Sequence, residues 1–335
     1  MDVHIYGWLG LVALIIVLIS VDFIGHVKAA HEPTIKEAAI WSTGYICLAA
    51  LFGVVLWPIY GLRYAAEYWA GWITEWSLSL DNLFVFIIII AAFKVPRKYQ
   101  QEVLLVGIII AMVLRFAFIM IGAVIINSFS WVFYLFGAFL IYTAIAQARE
   151  GVTNEDDFST EEYQENAMTR FIRRIIPTTQ GFIGGKLIHR HHRKTYITPM
   201  FIVIIAIGSA DLMFAFDSIP AIFGLTREPF IVFSATAFSL LGLRQLYFLI
   251  DGLLEKLAFL HYGLALILGF IGVKLIIHAM AENSLSFIND GQPIHYLPEP
   301  GIGLSMAFIF SVLILTTIAS VWYSSIKNKQ KHGQE

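Results

Sequence analysis

Charge and cysteine are what this 335-residue chain has least of. Its single cysteine, Cys47, excludes an intramolecular disulfide framework, an iron–sulfur cluster and a thiolate zinc site built from this chain alone. Only 14% of the residues are charged while 58% are hydrophobic and 15% aromatic, so a water-soluble core of this size would have too little polar surface to cover it. A helix bundle in lipid has no such need, because it can be apolar both inside and outside. Signatures of enzyme chemistry are also missing: there is no HExxH, no phosphate-binding glycine loop and no nucleophile–base constellation, and the chain is not read as an enzyme. The net charge of −2 says little about partners, and nucleic acid is not expected among them.

What the chain does have is apolar runs long enough to cross a bilayer. They predict helices near residues 7–27, 41–60, 72–93, 103–127, 131–147, 199–223, 230–250, 262–280 and 301–324, an all-α polytopic membrane protein of about nine spans. No basic stretch precedes the first run, and Ser20-Val21-Asp22 stands where a small-residue cleavage site would lie, so it reads as a retained span rather than a signal peptide. Trp8, Trp69, Trp72, Trp131, Trp322 and Tyr323 fall near predicted ends, where amphipathic rings prefer to sit. An odd number of spans puts the termini on opposite sides. With the C-terminus cytoplasmic, 17 of the 22 Lys and Arg residues fall in inner segments and only Arg63 and Arg227 in outer ones. That bias predicts a multi-pass cell (inner) membrane protein with its N-terminus outside.

Two short segments echo each other: EWSLSLDN, Glu75 to Asn82, and DLMFAFDS, Asp211 to Ser218. Each places one carboxylate six residues before another and follows it with a small polar residue. The echo continues through a proline loop (Pro96; Pro229), a span with one embedded arginine (Arg115; Arg244) and a glycine-containing span (Gly137; Gly263 and Gly269). Three helices per unit means that the second copy crosses in the opposite sense, an arrangement that builds a midplane site between repeats. The chain therefore divides into two N-terminal helices (1–71), a first repeat (72–147), a cytoplasmic loop (148–198), a second repeat (199–280), and an outer loop, last helix and basic tail (281–335). Within the cytoplasmic loop, Ser159 and Glu162 form a capping box and Pro177 closes a predicted amphipathic helix. His189, His191 and His192 lie among Arg190, Arg193 and Lys194, and read as a basic loop rather than a metal sensor.

A charge near the bilayer centre costs roughly 2.5–3.5 kcal/mol even on the mild insertion scale, so such residues face the bundle interior. Here Asp22, Glu75, Asp81, Asp211 and Asp217 outnumber Arg115 and Arg244, which suits a cation site. Structural pairing of Asp81 with Arg115 and of Asp217 with Arg244 is the plainer alternative. Six residues of ideal helix separate two positions by about 240° and roughly 9 Å, so each motif's acids share an ion only if the helix breaks. Pro220 favours such a break, and otherwise the outer acids, Glu75 and Asp211, guide ions to the inner pair, Asp81 and Asp217. Asn82 and Ser218 are candidate neutral ligands or local caps. Carboxylates, an amide and a hydroxyl without thiolate suit Mg2+, Ca2+ or Mn2+. Met213, the one soft atom in the second motif, would favour a transition metal if it turned inward.

EWSLSLDNLFVF from Glu75, the Leu-Arg of the following span, FGAFLIYT from Phe136 and ADLMFAFDSIPAIFGLT from Ala210 resemble the TerC family, including its Alx-type manganese exporters, over most of the chain. The resemblance implies a nine-helix inner-membrane protein that exports Mn2+ as a transported ion, with no permanently bound cofactor. Its alternative is a metal-handling partner that metallates exported proteins or supports tellurite and metal stress resistance. One departure bears on the charge of the site: relatives often carry a glutamate three residues before the aspartate matching Asp211, and Gly208 stands there in this chain.

Overall fold

The computed structural model describes residues 1, 3–27, 34–129, 131–153, 179, 187–191, 194–250, 259–283, 285, 288–294, 298 and 300–332. Some side chains within helices are excepted, among them those of Asp81, Asp217 and Arg244. Residue 130, between α4 and α5, is outside the described residues, which form nine long helices: α1 (Ile5–Asp22, continued by a π-helical turn Phe23–Val27), α2 (Ile35–Tyr60), α3 (Leu62–Ala92), α4 (Arg97–Ser128), α5 (Val132–Thr153), α6 (Pro199–Phe223), α7 (Pro229–Ile250), α8 (Leu260–Ala281) and α9 (Ile302–His332). In lipid the backbone must satisfy its own polar groups, which is why uninterrupted helices carry the apolar runs. Eight of the nine are long and apolar enough to cross a membrane. The exception is α3, whose length carries Glu67, Glu75, Asp81 and Asn82.

Local signals set the helix ends. Thr34 caps α2 by accepting from the Glu37 amide at 3.2 Å. Pro199 opens α6 at a position where its missing N–H costs nothing. Between α2 and α3 stands one residue, Gly61, at φ 97°, a backbone conformation that side chains with a Cβ avoid. This tight corner starts α3 ten residues before the span read from the sequence, and Trp72, read there as an interfacial ring, is buried. Pro220 does not break α6, which runs on to Phe223. Its lost hydrogen bond falls in the final turn, where the helix is about to close.

Packing runs between the two predicted units far more than within them. The most extensive pair is α5 with α8, followed by α3 with α7; α4 with α6 is the reciprocal of the latter, and α3 also meets α6 as α4 meets α7. The span of α7 is 94% buried, which makes it the centre of the bundle, whereas α1 and α9 turn residues such as Leu9, Ile16, Leu315 and Ile318 outward. The close approach of α5 to α8 needs glycine: a Cβ on Gly137 would come within 2.8 Å of the Gly272 carbonyl oxygen, and one on Gly272 within 2.9 Å of that of Gly137.

The loop of residues 148–198 was expected to hold one helix, centred on Ser159 to Pro177, which lies outside the described residues. What is described is an antiparallel hairpin, β1 (Ile188–His191) with β2 (Lys194–Ile197), pairing Ile188 with Ile197 and His189 with Tyr196. Its base is fixed to the bundle by buried Ile197 and by Thr198, whose amide donates to the Leu187 carbonyl at 3.0 Å. His192 lies outside the described residues, as do the side chains of His189 and His191.

Candidate functional site

The site is organised by the antiparallel contact of α3 with α6. Thr226 Oγ1 donates to Glu67 Oε2 at 2.6 Å, Gly71 lies against Ile222, and Glu75 and Ser218 both accept from Arg115 Nη1. Each step of four residues along α3 is thus matched by a step of four back along α6, one stripe of a helix face on each side. Asn82 and Asp211, two turns further on, are both buried on these helices. The first residue of the α3 motif, Glu75, therefore stands opposite the last residue of the α6 motif, Ser218.

Arg115 reaches into this contact from the middle of α4. Its Nε donates to Asp211 Oδ2 at 3.0 Å, its Nη2 to Asp211 Oδ1 at 3.1 Å, and its Nη1 to Ser218 Oγ at 3.1 Å and to Glu75 Oε1. Arg115 is 1% exposed, Glu75 0% and Asp211 1%, so the cluster is fully enclosed. Two carboxylates around one guanidinium leave an excess negative charge on these three side chains. Glu75 Oε2 is buried without a hydrogen-bond partner. Ser218 is buried beside Glu75, and Asn82 is buried two turns further along α3.

Glu75 and Asp211, the outer, guiding acids of the sequence reading, are both buried and hold Arg115, for which Asp81 was the partner considered. With α3 and α6 antiparallel and unbroken, Glu75 of one motif faces Ser218 of the other, and the guanidinium from which both accept also reaches Asp211. The backbones of Asp81 and Asp217 lie in α3 and α6 and that of Arg244 in α7, but their side chains are outside the described residues. Met213 is 64% exposed, two residues from Asp211 and so on the opposite face of α6, turned away from the cluster. Asp22 is buried at the end of α1 and accepts from Gln245 Nε2 at 3.3 Å. Gly208 is buried against Ile110. Among the described residues no three His, Cys, Asp or Glu side chains are grouped to hold a metal ion.

Glu67 was not singled out in the sequence, because the span had been started at Trp72. Its spacing from Gly71 and Glu75, four and eight residues, was the available signal. Its carboxylate is buried, held by Thr226 and by Arg63 Nε at 2.9 Å. It faces a cavity of about 490 Å³ that is also lined by Arg63, Thr226, Arg227, Lys274 and His278. At its rim the Met1 amine donates to Glu228 at 2.7 Å, and that hydrogen bond holds the amine above its ordinary pKa.

The apolar helices and the polar centre they enclose define a multi-pass integral membrane protein. The chain belongs to the TerC family of integral membrane proteins, which matches residues 60–328. It is 46% identical over 315 residues to an uncharacterized membrane protein of Mycobacterium tuberculosis, covering 94% of this chain and 79% of that one. It is 36% identical over 270 residues to an uncharacterized membrane protein of Myxococcus xanthus, covering 81% and 83%. It is also 32% identical over 336 residues, 97% of each chain, to Alx of Escherichia coli K12, which is described as a proposed membrane-bound redox modulator. No solved structure matches the chain.

Proposed function

We propose that this protein moves a divalent metal cation, Mn2+ before Ca2+ or Mg2+, out of the cytoplasm through the carboxylates of its two motifs. The observation that carries this reading is the meeting of Glu75 and Asp211, one from each motif, on a single buried guanidinium. Buried acids in excess of base are costly in a bilayer and call for a cation. The donors are oxygens throughout, with Asp81, Asp217, Asn82 and Ser218 on the same helix pair and Met213 turned away, which suits a hard ion. Mn2+ is put first on the resemblance to Alx-type exporters. The reciprocal packing of α3 with α7 and α4 with α6 supports two inverted three-helix repeats, 72–147 and 199–280, with the site between them. The Lys and Arg bias puts the Glu67 cavity on the outer side, where it would serve as the release vestibule.

The description of Alx suggests redox modulation as another reading. The single Cys47, exposed on α2, cannot cycle through an intramolecular disulfide, and the buried centre is ionic, so we do not adopt it. Uptake of Mn2+ by everted membrane vesicles tests the proposal directly. Vesicles from cells producing the protein should accumulate Mn2+ faster than vesicles from cells without it. Equal rates at confirmed membrane abundance would favour the metallation-partner alternative.

A further inference from the structure

We infer that Arg115 is a tethered counter-cation that competes with the transported ion for the same carboxylates, so that loading the site requires its guanidinium to leave them. This rests on the cation-transport reading above and assigns Arg115 a role beyond holding acids in place. Glu75 Oε1, both Oδ atoms of Asp211 and Ser218 Oγ are the described oxygens that a hard dication would use. Each of them accepts an N–H from this one side chain. The guanidinium plane fills the space between the oxygens of α3 and those of α6. Arginine stays protonated and has no lone pair, so it cannot join a coordination shell. At 1% exposure solvent screens it poorly, and a dication seated beside it is repelled.

The second carboxylate oxygen of Glu75, Oε2, takes no N–H from Arg115. Buried and without a partner, it is the atom that an incoming ion can engage before the guanidinium is displaced. Once two carboxylates hold the dication, Arg115 is released. When the ion departs, the guanidinium returns and offsets part of the charge of acids that would otherwise stand bare in the bilayer core. The loaded and self-occupied arrangements exclude each other, so Arg115 weakens ion binding while allowing the carrier to return without cargo.

These two effects have opposite signs, and a purely structural role gives neither. In proteoliposomes, net Mn2+ flux and exchange of radiolabelled Mn2+ against unlabelled Mn2+ are measured for the full-length protein and for Arg115→Gln and Arg115→Lys. Removing the competitor should lower the Mn2+ half-saturation of exchange about tenfold in Arg115→Gln, since the fraction of sites closed to the ion disappears. Net flux should fall about tenfold or more while exchange stays within about threefold of the parent, because only the unloaded return step is lost. Arg115→Lys, whose ammonium cannot span the same four oxygens, should lie between the two. Net flux and exchange falling together in monodisperse Arg115→Gln would overturn the inference, as would an unchanged half-saturation. If Arg115→Gln does not fold, the half-saturation of Arg115→Lys decides, and a value equal to the parent's overturns it. Absence of Mn2+ exchange by the parent protein would instead remove the transport reading on which the inference stands.

Discussion

Arg115 holds Asp211 through two parallel hydrogen bonds, Nε to Oδ2 at 3.0 Å and Nη2 to Oδ1 at 3.1 Å, across the contact of α4 with α6. A bidentate pair of this kind fixes orientation as well as charge, and breaking a buried one by neutralising a partner costs about 3–5 kcal/mol. Asp211→Asn should therefore lower thermal stability in detergent as well as abolish Mn2+ uptake into everted vesicles. Asp211→Glu, which keeps the charge at the cost of an added methylene, should recover abundance and part of the uptake. Parental uptake by Asp211→Asn at parental abundance would show that the buried acid pair is not on the ion's path.

The second acids of the motifs are expected to matter for turnover rather than for folding. Asp81 adjoins Asn82, and Asp217 adjoins Ser218, which faces Glu75, so each motif ends on one acid and one neutral oxygen. Asparagine keeps the size of aspartate and one oxygen but removes the charge. Asp81→Asn and Asp217→Asn should each reduce Mn2+ uptake by at least about tenfold, as loss of a ligand charge requires, with size-exclusion profiles like the parent's. Normal uptake by both variants would confine the site to Glu75 and Asp211.

Helix positions were legible because apolar runs report directly on lipid-exposed helices, and the eight apolar spans lie within about five residues of the predicted ranges. The start of α3 was not. Tyr64, Glu67, Tyr68 and Trp69 dilute the apolar pattern, and only packing makes room for them: Tyr68 donates to the Ala49 carbonyl at 2.9 Å and Glu67 accepts from Thr226. The acids of the two motifs were legible as a group, but which of them a buried arginine holds depends on how α3 registers against α6, a tertiary fact that no spacing within one helix contains. The hairpin at 188–197 escaped notice because its histidines and basic residues carry no alternating apolar signal.

Gly137 tests the packing of α5 on α8. A Cβ there would lie 2.6 Å from Ile276 Cγ1 and 2.8 Å from the Gly272 carbonyl oxygen, and the backbone atom cannot move aside as a flexible side chain can. Overpacking of this kind costs about 1–3 kcal/mol. Gly137→Ala should lower the apparent melting temperature in detergent, and Gly137→Leu should reduce membrane abundance. Gly303→Ala is the control, since a Cβ at Gly303 meets nothing within 4 Å. Indistinguishable melting of Gly137→Ala and Gly303→Ala would count against the close α5–α8 contact.

The orientation follows from the distribution of Lys and Arg and can be read with single cysteines. Exposed Cys47 is first replaced by serine. Lys94, in the exposed corner between α3 and α4, and Asp290, exposed in the segment between α8 and α9, are then changed to cysteine one at a time. With the N-terminus outside, an impermeant thiol reagent applied to intact cells should label Asp290→Cys alone, and Lys94→Cys only after permeabilisation. The reverse pattern would invert the protein and place the Glu67 cavity on the cytoplasmic side.

Glu67 offers a test in which two interactions at one carboxylate should have unequal effects. Its Oε1 accepts from Arg63, whose side chain is 78% exposed, while its Oε2 accepts from the hydroxyl of buried Thr226. An exposed pair at i,i+4 contributes about 0.3–0.5 kcal/mol. Stripping the donor from a buried carboxylate oxygen costs about 1–3 kcal/mol, because the charge stays enclosed without its partner. Thr226→Val, which conserves volume, should therefore lower the melting temperature in detergent clearly more than Arg63→Ala. In the double variant Thr226→Val with Glu67→Gln most of that loss should return, since the unsatisfied charge has gone. If Arg63→Ala proves the more damaging change, the carboxylate is held from the solvent side, and the cavity at this end is walled by the arginine rather than by the α3–α6 contact.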